Sequence, residues 1–143
     1  MIQMKEVLCL ATGNSYDMVT GNNVTAHPAQ RPYPRFEPEY LIPIKKGGVL
    51  EYLYNVEDII ECLPEDIYTY ADKLAPEQYN NLVSYHRARS ASYGYAKKET
   101  KYRFYLLKKI APIQQPCLRK GIQVSVRMDL ADIINKKCFS GTV

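Results

Sequence analysis

The sequence predicts an α+β domain organised as a small, partly open β-barrel of about five strands with two or three short helices. Three observations carry that expectation. Two apolar runs, Tyr40 to Ile44 and Val49 to Val56, flank the basic, glycine-closed tetrapeptide Lys45-Lys46-Gly47-Gly48, which is a hairpin pattern. Ile122, Val124, Val126 and Met128 alternate with Gln123, Ser125 and Arg127, a period of two that puts one face of a strand inward. One amphipathic helix is legible, from Pro76 to near Arg89, so strands and helices do not alternate in the rhythm of a Rossmann-type sheet.

Taken in order, Glu6 to Ala11 form a first strand that Thr12-Gly13-Asn14 ends, because glycine and asparagine tolerate the positive φ of a tight turn. The next stretch, to Phe36, reads as one long loop: Gly21-Asn22-Asn23 is polar, and four prolines fall in the eleven residues from Pro28 to Pro38. In the hairpin, Pro43 cannot donate to a ladder, so its arm is expected at a sheet edge or with a bulge. Glu57 to Leu63 is expected to bend into a helical turn before Pro64. Pro76 suits the first turn of the one confident helix, which carries Tyr79, Leu82, Val83 and His86 as a narrow stripe. Ser90 to Thr100 is a small-residue connector, and Tyr102 to Ile110 is a strand broken by Pro112 and Pro116. Asp129 caps a last short helix with Leu130, Ile133 and Ile134, and 135–143 is a flexible tail.

At 143 residues the chain is long enough for one domain, with its core at about 6–134. No apolar run approaches the roughly 18 residues of a membrane span, and the Val7–Ala11 run is too short for a signal peptide. The four cysteines, Cys9, Cys62, Cys117 and Cys138, lie far apart without a CxxC pair, which argues against zinc and disulfides and for a reducing cytoplasm. Cys9 and Cys62 sit in apolar pattern as core residues.

Net charge is only +4, but its distribution is polarised: an acidic middle from Glu51 to Glu77 precedes a basic block from Arg87 to Lys109. Tyr85, Tyr93, Tyr95, Tyr102 and Tyr105 interleave that block, and cations with flat rings are what single-stranded nucleic acid is bound by. Arg87, Arg89, Tyr95, Lys97, Lys98 and Lys101 are its candidate contacts. Arg31, Tyr33 and Arg35 alternate in the proline-rich loop as cation, ring, cation, and Lys45 and Lys46 stand at the hairpin tip. Each set also has a plain reading, as a solvated loop or a turn whose chemistry already explains its glycines.

No serine, cysteine or histidine has the base and orienting partner that a nucleophile needs, and no cofactor motif is present. His86 is expected on the helix stripe as a packed residue, and His27 in the loop. Glu57, Asp58 and Glu61 are close in sequence but lack a nuclease arrangement, so a solvated acidic face is the expectation. The residues therefore point to a non-catalytic binding domain for single-stranded RNA or DNA. One alternative is a protein-interaction or self-associating module using the acidic and basic faces. A metal-dependent nucleic-acid hydrolase at Glu57, Asp58 and Glu61 stands behind both, and no membrane partner is expected.

The succession of first strand, hairpin arms (Leu41-Ile42-Pro43-Ile44 and Val49 to Ile59), variable helix, the run Tyr102 to Ile113 and a final strand resembles the PUA-like superfamily, which includes PUA, ASCH and EVE domains. The similar part spans Glu6 to Ile134. The resemblance implies a small β-barrel with helices across its openings and a tendency to bind RNA or modified DNA bases. It carries over no pocket residue.

Overall fold

The computed structural model describes residues 6–47, 49–97, 99–118 and 126–129, and for 114–118 and 126–129 the backbone path alone. Its elements are β1 (Glu6–Gly13), α1 (Tyr16–Asn22), β2 (Val24–Pro28), β3 (Tyr40–Lys45), β4 (Val49–Cys62), a 3₁₀ helix (Pro64–Tyr70), α2 (Pro76–Ser92), β5 (Tyr102–Leu118) and β6 (Val126–Asp129). The strands form one sheet in the order β2-β5-β4-β3-β1-β6. The chain divides into two compact units. One comprises the described residues of 1–16, 36–56 and 108–143, the other those of 17–35 and 57–107, and the long strands β4 and β5 contribute to both.

In the first unit β3 runs parallel to β1, antiparallel to β4, and β1 pairs antiparallel with β6. Val7, Cys9, Ile42, Ile44 and Leu50 form its core, with Tyr40, Leu53 and Ile113 packed against them. Alternation explains the set: residues two apart on a strand share a face, so Val7 with Cys9 and Ile42 with Ile44 point one way. The expected hairpin is present. Pro43 is accommodated by a shift of register between Leu41 and Ile44 on the β4 side, so the bulge expectation holds, whereas β3 is an interior strand and not an edge. At the hairpin tip Gly47 has a φ of +94° and open space where a Cβ would stand. Gly47→Ala is therefore expected to cost about 1–2 kcal/mol from backbone conformation alone, read as a lower urea midpoint.

In the second unit β2 pairs antiparallel with β5, from Val24 opposite Leu106 to Pro28 opposite Tyr102. The α2 helix buries Leu82, Tyr85 and Arg89, at i, i+3 and i+7. Its start is closed by Gln78, whose Oε1 accepts from the Ala75 N–H at 3.1 Å. Its end is closed at Gly94, φ +68°, whose N–H donates to the Arg89 carbonyl at 2.8 Å.

Four local expectations are corrected. The stretch read as one long loop contains α1 and β2: Tyr16 and Val19 bury an i, i+3 pair, and Asn23 ends the helix at φ +55°. β4 does not bend at Glu57 but stays extended to Cys62, and the 3₁₀ helix starts only at Pro64. β5 continues through Pro112 and Pro116, since an extended φ suits proline and only the ladder bond at each nitrogen is lost. The inward stripe of α2 is Leu82, Tyr85 and Arg89, with His86 half-buried beside it. Cys9 and Cys62 are buried as expected, burial pushing the Cys62 thiol up to about 11. The helix expected after Asp129 and the tail lie outside the described residues, as does 122–125 of the last strand, the rest of which falls in β6. Among the described residues no helix is long and apolar enough to cross a membrane.

Candidate functional site

Residues Tyr102 to Leu107 are buried on both faces of β5, so every polar group there needs a partner in the protein. Residues opposite each other in an antiparallel pair share a face, which puts His27, Arg103, Thr25 and Tyr105 on one side of the β2–β5 ladder and Ala26, Phe104 and Tyr102 on the other.

On the first side, His27 is 4% exposed, and its Nδ1 lies 2.8 Å from the Pro28 carbonyl and its Nε2 2.8 Å from the Tyr105 hydroxyl. A carbonyl only accepts, so Nδ1 carries the proton, and in the neutral ring Nε2 accepts from the Tyr105 O–H. Burial holds His27 below its ordinary value, and the nearby Arg103 guanidinium lowers it further. The unfolded chain takes up a proton near pH 6.5 while the folded ring stays neutral. Stability from this residue is therefore complete above about pH 6.5 and is lost as pH falls through the folded value. His27→Gln is expected to flatten that acid limb in thermal melts across pH 4 to 7, leaving the part due to His86, which burial also lowers.

Beside His27, Arg103 is 6% exposed and its Nη1 donates to Glu61 Oε1 at 3.0 Å and to the Arg35 carbonyl at 3.3 Å. Ala29, Pro34, Arg35, Glu61 and Arg103 line a cavity of about 300 Å3. The loop over this cavity is tied at three points. The Ala29 N–H donates to the Lys101 carbonyl at 2.9 Å, extending the ladder by one step. The Tyr33 ring stacks on His27, centroids 5.4 Å apart and planes within 8°, and the Arg35 carbonyl takes the Arg103 bond. Arg31 and Arg35 remain exposed on that loop, and Tyr33 is 41% exposed.

On the second side, Arg89 is buried among rings. Its guanidinium carbon lies 4.9 Å from the Tyr93 centroid, 4.6 Å from Tyr95 and 4.9 Å from Tyr102. Nε donates to the Gly94 carbonyl at 2.8 Å, and Nη1 to the Tyr85 hydroxyl at 3.0 Å. Tyr95 is itself stacked on His86 and bonded to it at 2.9 Å, and the Ala96 N–H donates to the Tyr102 hydroxyl at 2.7 Å. The cage thus fixes the connector that carries Lys97 and Lys101, both exposed, into the start of β5.

These contacts sort the candidate residues. Arg31, Tyr33, Arg35, Lys97 and Lys101 lie on the two segments that meet at one end of the ladder. Arg89 is buried and Tyr95 half-buried, and the cage engages the guanidinium and the ring. Arg87 is exposed but lines a separate open groove with Tyr68, Tyr79 and Ser84. Lys45 and Lys46 are exposed in the other unit, Lys45 paired with Glu51 at 3.1 Å and over the Tyr16 ring. Lys98 lies outside the described residues. Among the described residues no group of three acidic, histidine or cysteine side chains is placed to hold a metal, and Glu61 is engaged by Arg103. Sequence reading missed the roles of His27, Glu61 and Arg103. The signal was a charge inside a strand whose two faces are both apolar, which requires a counter-charge on a neighbouring strand.

No protein-family model matches the sequence, and no curated protein matches it. Among solved structures, ASCH from Zymomonas mobilis is 13% identical with a TM-score of 0.54, over 96% of this chain and 96% of that one. A tyrosine-to-phenylalanine mutant of the same protein is 14% identical with a TM-score of 0.53, over 96% of this chain and 99% of that one. The likeness shows the fold alone: this chain has the α+β fold of those ASCH structures.

Proposed function

We propose that this chain, starting from its PUA-like fold, is a non-catalytic domain that binds single-stranded RNA or DNA at the end of the β2–β5 ladder. The observation that carries the reading is the Ala29 to Lys101 bond, which brings two cationic segments distant in sequence to one place beside a cavity. Arg31 and Arg35 from one segment and Lys97 and Lys101 from the other take phosphates. Tyr33, backed by His27, offers a ring to a base.

Binding through these contacts is an exchange of counterions. With four cations on phosphates, the slope of log affinity against log salt is expected near about −3, at roughly 0.7 per phosphate for single strands. Fluorescence anisotropy with labelled single-stranded oligonucleotides is expected to show a loss on the order of fifty-fold between roughly 50 and 200 mM salt. Binding that is millimolar and insensitive to salt with every oligonucleotide would remove the reading.

A further inference from the structure

We infer that the cavity beside Arg103 takes one unpaired guanine base, selected by the Glu61 carboxylate. This rests on the nucleic-acid reading above and narrows it from a strand to a base. The cavity of about 300 Å3 is at the small end of ligand sites, with room for one base. Its polar wall is a carboxylate against a guanidinium, so it selects by the pattern of donors and acceptors more than by net charge. Glu61 is held by one oxygen, Oε1, to the buried Arg103 at 3.0 Å, while its side chain is 51% exposed. An ionised carboxylate only accepts, and so placed it offers acceptor positions to whatever enters.

Among the bases, guanine alone has two adjacent donors on its Watson–Crick edge, N1–H and the N2 amino group, and one carboxylate accepts both. Adenine and cytosine set a ring-nitrogen lone pair beside their amino group, and uracil and thymine flank one N–H with two carbonyls. Each of those sets a lone pair against a carboxylate oxygen. Guanine O6, the acceptor next to N1, suits the Arg103 guanidinium, and Pro34 offers an apolar surface to the ring. A single strand leaves that edge open to be read.

The test uses the unaltered protein and uridine nonamers carrying one central guanosine, adenosine or cytidine, followed by anisotropy at fixed salt. The guanosine oligomer is expected to bind about tenfold tighter than the others, the scale of one good two-bond base contact. Glu61→Gln, which turns one acceptor into a donor facing guanine's donors, is expected to erase the preference while the salt dependence persists. Because Glu61 also holds Arg103, a nucleotide titration of the unaltered protein followed by NMR gives a second readout, with GMP expected to perturb the Tyr33 and Glu61 signals more than AMP, CMP or UMP. Equal affinity for the three oligomers, with no preference for GMP, overturns the guanine inference and leaves the nucleic-acid reading standing. Selective GMP binding without oligomer binding supports the pocket and overturns the strand reading. No binding of either kind overturns both.

Discussion

Arg89→Ala is expected to destabilise the protein by about 3–4 kcal/mol, seen as a large drop in urea midpoint. The guanidinium sits within 4.9 Å of three tyrosine centroids and is 9% exposed, so the cation–π attraction acts with little solvent screening. Removing it also leaves the half-buried Gly94 carbonyl and the buried Tyr85 hydroxyl without this donor. Burial already pushes the Tyr85 phenol up to about 12, with the Arg89 charge opposing that rise, so loss of Arg89 drives it higher still. Arg89→Lys keeps the charge but not the planar stack or the two-way fork of donors, and is expected to recover less than half of the loss. An Arg89→Ala variant as stable as the unaltered protein would show that the cage is incidental.

Arg103→Met is expected to weaken oligonucleotide binding by on the order of tenfold while lowering stability by about 2 kcal/mol. The stability cost is moderated because Glu61, half-exposed, returns to water when its partner is gone. The larger effect is on the loop, since the Arg35 carbonyl loses the bond that ties the Arg31–Arg35 segment to β5. Arg103 also helps hold His27 below its ordinary value, so the variant should shift the His27 ring titration upward in NMR. A variant that loses stability but binds unchanged would make Arg103 a packing residue with no part in positioning the loop.

The two residues illustrate how far the sequence is legible. The hairpin from Tyr40 to Val56 was readable because alternation is a local property, and the α2 helix was readable from Pro76 onward for the same reason. Arg89 reads in the sequence as one cation of a basic block. Its position on the helix, four residues after Tyr85 and seven after Leu82, already placed it on the inward stripe. The α1 helix and β2 were hidden by their residues: Gly21, Asn22 and Asn23 suit a turn as well as a helix end, and Val24-Thr25-Ala26-His27-Pro28 is short and half polar. At the site, Arg31, Tyr33 and Arg35 were visible as an alternating set. The partners that give them a place were not, because His27 finds Tyr105 78 residues away and Arg103 finds Glu61 42 residues away. Pairings of that range are set by strand register, and register depends on packing that no local window contains.

On the proposed reading, the loop after β2 and the connector before β5 together hold a nucleic-acid strand. The decisive measurement is a salt titration of oligonucleotide affinity, run on the unaltered protein and on Arg31→Ala with Arg35→Ala. The expected slope is about −3, falling to about −1.5 when two phosphate contacts are removed, with no change for Lys45→Ala, whose cation is already paired with Glu51. An unaltered slope in the loop variant, or one that falls only when Lys45 is replaced, would contradict it.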